Sequence, residues 1–103
     1  MTLLSQGEQL SAKLDTLHIE LRKAVSDTSL SDTLFKGRYA IELLKADGRV
    51  EEKKAEATIQ TLEEYEANFL NEQMIKVVSL EIRSVQQQIS LLQSLVKLET
   101  GGG

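Results

Sequence analysis

Residues 74–96 read MIKVVSLEIRSVQQQISLLQSLV. Met74, Val78, Ile82, Val85, Ile89, Leu92 and Val96 recur in this stretch at helical steps of three and four, which lays a continuous apolar stripe along one side of an α-helix. A sustained stripe of that kind asks for another helix against it. The surrounding segment, Val50 to Glu99, contains no proline and no glycine, so nothing in it forces a helix to stop. The expectation is an all-α fold whose last element is one long helix over about residues 50–98.

Upstream, Leu10, Leu14, Leu17, Leu21 and Ala24 fall at steps of four, three, four and three, a second heptad seam that predicts a helix over about residues 3–25. Ser26-Asp27-Thr28-Ser29 then groups side chains that compete for nearby backbone, and predicts a turn. Ser29 suits an N-cap for a helix over about residues 30–46, which would carry Leu34, Tyr39, Ile41, Leu43 and Leu44 inward. Asp47-Gly48 ends it, because glycine fits the left-handed position beyond a helix terminus. Glu51 and Glu52 follow in the first turn of the long helix, where its positive end favours acids. A break around Asn68 to Gln73 is the one interruption that its composition suggests.

The apolar residues of the long segment spread over more than one face: Ile59, Leu62, Tyr65 and Phe69 early, then Leu70, Val77, Leu80 and Leu95 beside the main stripe. Two shorter helices cannot cover all of them. The architecture expected is therefore a helical hairpin or three-helix unit that joins copies of itself in a coiled-coil-like assembly. Met74, Val78, Ile82, Val85, Ile89, Leu92 and Val96 form the expected oligomer interface. Gln86-Gln87-Gln88 and Gln93 flank that stripe and suit either interface positions or plain surface. Residues 101–103 are read as a disordered glycine tail.

With 103 residues the chain forms one domain at most, near the size at which much surface stays wet unless a partner covers it. Aromatics are 4% of the chain, so the core must be built from Leu, Ile, Val and Ala. No cysteine is present, which excludes disulfides, thiolate metal sites and a cysteine nucleophile. The start lacks a basic and apolar leader pattern, and no run reaches the roughly 18 apolar residues of a membrane span. A cytoplasmic protein with no membrane partner is the resulting expectation.

Chemistry-bearing motifs are sparse. His18 is the single histidine, stands one step from the Leu14-Leu17-Leu21 seam, and builds no conventional zinc site alone. Glu51, Glu52, Glu56, Glu63, Glu64, Glu66 and Glu72 lack the Glu-x-x-His spacing of helical carboxylate metal sites, and read as a solvated face or an acidic docking face. Neither glycine-rich phosphate-loop pattern occurs. No cofactor, no metal and no enzyme activity are expected, for want of a nucleophile, base and orienter.

The net charge of −4 comes from that acidic block: residues 1–50 balance near zero and residues 73–103 carry about +1. One basic cluster with an aromatic in it remains, formed by Lys36, Arg38, Tyr39, Lys45, Arg49, Lys53 and Lys54 around the Asp47-Gly48 turn. Its cations can neutralise phosphates, and Tyr39 or Phe35 can stack on an unpaired base. Surface charges beside buried rings would give the same pattern.

In order along the chain, a leucine-zippered first helix, the Lys36 and Arg38 pair, the turn Asp47-Gly48-Arg49, a Glu/Lys/Ala-rich helix and the segments Ile82-Arg83-Ser84-Val85 and Leu92 to Lys97 follow one another. This pattern resembles the small all-helical proteins of tailed phages related to the recombination mediator UvsY. The resemblance implies a homo-oligomeric ring that binds single-stranded DNA, displaces single-strand-binding protein and helps load a recombinase in the bacterial host cytoplasm. It also implies that Lys36 and Arg38 contact DNA, and that the long helix's stripe assembles the ring. The acidic balance departs from that picture, although a ring repeats a weak basic patch around one strand. The rival expectation is a helical adaptor or inhibitor that binds a host or phage protein without nucleic acid.

Overall fold

A computed structural model describes residues 2–101, and every one of its regular elements is helical: α1 (Leu3–Lys45), α2 (Val50–Gln60) and α3 (Leu62–Glu99). The all-α expectation is met. The helix boundaries are redistributed, and the reasons are local.

α1 starts where the Thr2 hydroxyl accepts the Ser5 N–H at 3.0 Å, an N-cap. It then runs without interruption through residues 26–29, where the sequence predicts a turn. One of the hydroxyls that would open the turn, and another just beyond it, bend back onto their own helix. Thr28 Oγ1 donates to the Ala24 carbonyl at 2.7 Å and Thr33 Oγ1 to the Ser29 carbonyl at 3.0 Å. The two helices expected over 3–25 and 30–46 are therefore one. The helix ends at Lys45, and in the turn that follows Gly48 sits at φ 108°, which L side chains rarely adopt and where a Cβ would strike the Glu52 carboxylate.

The long helix is interrupted at Thr61, not in the Asn68 to Gln73 region. Thr61 is fully buried at φ −113° and ψ 19°; its hydroxyl donates to the Ala57 carbonyl at 2.7 Å, and its N–H is shared between the carbonyls of Ala57 and Thr58. That sharing tightens the last turn of α2. Tyr65 N–H then returns to the Thr61 carbonyl at 3.0 Å and starts α3. Gly101, expected in a loose tail, sits at φ 64° and donates to the Leu98 carbonyl in the turn that closes α3. Gly102 and Gly103 lie outside the described residues.

The helices pack as two units. The first unites α1 through Arg22 with α3 from Lys76 onward. Leu17, Val78, Ile82 and Val85 form its buried core, and Leu10, Leu14, Leu21 and Ile89 pack against them. Gly7 lies where an added Cβ would touch Leu92 at 3.4 Å, so early α1 meets late α3 and the pair is antiparallel.

The second unit, Lys23–Ile75, pairs the rest of α1 with α2 and the start of α3. Its seam is polar. The Ser31 hydroxyl donates to Asn68 Oδ1 at 2.9 Å, Asn71 Nδ2 to the Asp27 carbonyl at 3.4 Å, and Arg38 Nε to Glu64 Oε1 at 3.4 Å. These rungs descend α1 as they climb α3, and that fixes an antiparallel register side chain by side chain. Ala57 and Thr61, one turn apart and fully buried, are the contact face of α2.

Candidate functional site

The basic cluster expected to hold nucleic acid lies within the second unit, on α1, the turn after it and α2. A continuous α1 separates its central pair. Lys36 and Arg38 are two positions apart on one helix, roughly 160° around its axis, so they cannot grip one phosphate side by side. Each also has acids of its own. Lys36 Nζ is 2.9 Å from Asp32 Oδ2, and its ammonium pKa is raised above 10.5, chiefly by that hydrogen bond and then by the charge attraction. Arg38 reaches Glu42 at 2.7 Å and Glu64 at 3.4 Å, and Lys45 stands 3.9 Å from the same Glu42.

The rings are engaged as well. Phe35 packs against Tyr39 with centroids 6.1 Å apart and edge-on against Tyr65 at 5.7 Å, and Tyr39 is half-buried. Neither is a free stacking platform. Arg49 occupies the N-cap position of α2 without a side-chain cap bond, Lys54 is exposed and Lys53 half-buried. A cavity of about 600 Å³ beside this turn is lined by Glu42, Asp47, Glu52 and Glu56, with Lys45 as its single cation. The potential there opposes a phosphate chain. Among the described residues no three His, Cys, Asp or Glu side chains gather as metal ligands, and His18 is half-buried.

The stripe expected to join copies is largely spent inside the chain. Val78, Ile82, Val85 and Leu92 are buried, the first three of them in the core with Leu17, and Ile89 packs against that core half-buried. Only Met74 and Val96 stay exposed. α1 offers a leucine row at the same heptad spacing, and two complementary rows of one chain close on each other first. Leu34, Ile41 and Leu44, expected inward, are exposed instead, because Phe35, Tyr39 and Leu43 take the inner side of α1.

Two exposed stripes appear in place of the expected one. On α1, Leu30, Leu34, Ile41 and Leu44 follow heptad steps with Gly37 between them, where an added Cβ would meet nothing within 4 Å. On α3, the side turned away from the Leu17 core carries Val77, Leu80, Leu91, Leu95 and Leu98, all exposed. A cavity of about 350 Å³ lined by Leu10, Gln88, Leu91 and Leu95 borders this side, and one of about 860 Å³ lined by Leu3, Leu4, Ile89 and Val96 lies at the same end of the pair. The spacing of Val77, Leu80 and Leu95 already set them beside the main stripe, with nothing in the chain to cover them, whereas Leu34, Ile41 and Leu44 were expected inward.

These features define an all-α protein built on antiparallel helix pairs, with no helix among its described residues long and apolar enough to cross a membrane. Compared with protein-family models, with curated proteins and with solved structures, the chain matches none of them.

Proposed function

We propose that this chain is a non-enzymatic helical assembly module, which associates with itself and holds a helical protein partner through its exposed apolar stripes. One observation carries the reading. Among the described residues twenty large apolar side chains are exposed, against seven buried hydrophobic ones. A chain that worked alone would leave most of its hydrophobic free energy unused, and contiguous exposed apolar surface marks interaction sites. Light scattering at tens of micromolar tests it: a species of two or more copies is expected, and a monodisperse monomer overturns self-association.

Loading of a recombinase onto single-stranded DNA is the second reading, which the resemblance to UvsY-like phage proteins implies. The exposure of Lys36 and Lys45 favours it, since their side chains are 72% and 67% exposed and surface ion pairs exchange readily for phosphates. Binding of a fluorescent single-stranded oligonucleotide that falls steeply with salt, and is lost in Lys36→Ala/Arg38→Ala, supports this reading. Unchanged binding in the double variant removes the site.

A further inference from the structure

We infer that the outer side of α3 in the first unit is a two-fold interface to a second copy of this chain, with the two α3 helices antiparallel and the axis passing between Gln87 and Gln88. The inference rests on the self-association proposed above and names the surface responsible for it. Its basis is a symmetry in the spacing of exposed residues. Read outward from the midpoint between the two glutamines, Val77 mirrors Leu98, Leu80 mirrors Leu95, and Ser84 mirrors Leu91. At about 100° per residue all of them fall within roughly one third of the helix circumference, facing away from the Leu17 core.

A two-fold interface brings one patch onto its own reversed copy, so a row that reads alike in both directions suits that pairing in particular. Leucine ends meet valine or leucine ends. The small Ser84 leaves room for Leu91 of the other copy, and the two glutamines at the axis can donate and accept across it. Leu95 of each copy stands at the rim of the 350 Å³ groove against Leu10, where Leu80 of the other copy can be received.

The area suffices. Val77, Leu80, Leu91, Leu95 and Leu98 are 46–74% exposed, which leaves roughly 300 Å² of apolar side chain per copy if a leucine buries about 100 Å². The smallest specific interfaces bury about 1,000 Å² in total and are a little over half apolar, which requires nearly the same amount per copy.

The chain has no cysteine, so single cysteines report the geometry directly. On air oxidation, Gln88→Cys is expected to form a covalent dimer. Leu80→Cys alone is not, because the axis carries its copy far along the helix, but a mixture of Leu80→Cys and Leu95→Cys is. Leu91→Lys, at a side chain already exposed, is expected to weaken association at least tenfold with helicity retained by circular dichroism, and Leu95→Lys provides a second variant. Self-crosslinking of Leu80→Cys as fast as that of Gln88→Cys overturns the antiparallel geometry. An unchanged oligomer in both lysine variants overturns the surface while self-association stands, and a parent chain that is monomeric at tens of micromolar overturns both.

Discussion

Truncation of Leu17 to alanine, set against the same change at Leu44, measures how far α1 is committed to its inner seam. Both leucines lie on one helix, but Leu17 is 3% exposed and Leu44 is 87% exposed. Leu17→Ala removes about three methylene equivalents from the cluster with Val78, Ile82 and Val85, at about 0.8 kcal/mol each. A cavity contribution adds to this, kept small because a two-helix seam can close inward, and the whole comes to about 3 kcal/mol, in the lower part of the usual 2–5 kcal/mol range. Leu44→Ala removes side chain that water already covers and should change stability by less than about 0.5 kcal/mol. Urea unfolding followed at 222 nm reads both, with protein concentration held fixed because self-association stabilises the folded state. With a slope of about 1.5 kcal/mol per molar urea, Leu17→Ala should lower the midpoint by about 2 M and Leu44→Ala by less than about 0.3 M. Equal shifts, or the larger one at Leu44, would refute the assignment of the seam.

The glycines should respond with opposite signs. Gly37→Ala, inside α1 and open on all sides, is expected to stabilise by about 0.5–1 kcal/mol, while Gly48→Ala, at φ 108° beside Glu52, should cost about 1–2 kcal/mol by the same urea assay. A double-mutant cycle between Ser31→Ala and Asn68→Ala should return a coupling of about 1 kcal/mol for their 2.9 Å hydrogen bond, and additive effects would show that the polar rung does not hold the register. Because the pKa of Lys36 is raised, its pairing contributes below about pH 10.5 and is lost as pH rises through the higher folded value. An NMR titration of the Lys36 side chain should therefore fall back to the ordinary value in Asp32→Asn, and an unshifted midpoint in the parent chain would remove the pairing.

Helical character was legible residue by residue, because proline-free stretches of Leu, Ile, Glu, Gln and Lys carry their periodicity in the order of side chains alone. The spacing of both seam rows was legible too, Leu10, Leu14, Leu17 and Leu21 on one helix and Val78, Ile82, Val85 and Leu92 on the other, but the second row was expected to join copies and instead closes on α1. The Gly48 stop was legible because its backbone conformation penalises any side chain. Misread were the stretches in which one side chain serves two local structures. Ser26 to Ser29 can open a turn or bond back along a helix, and only the partner seam, with Asn68 across from Ser31, selects the helix. Thr61 gives no warning in sequence either, since a buried threonine that tightens a turn has the same neighbours as one that does not.

The candidate surfaces divide in the same way. Spacing along the chain says which residues share a face, and that much the amino-acid order determined within each helix, including the Val77 to Leu98 row. What a face meets depends on which of several competing rows finds its complement first. The tertiary structure decided that the strongest row of α3 closes on α1, that Glu42 and Glu64 claim Arg38, and that the weaker rows are left outside. The physical reason is that periodicity is a property of one helix, whereas burial is a property of a pair.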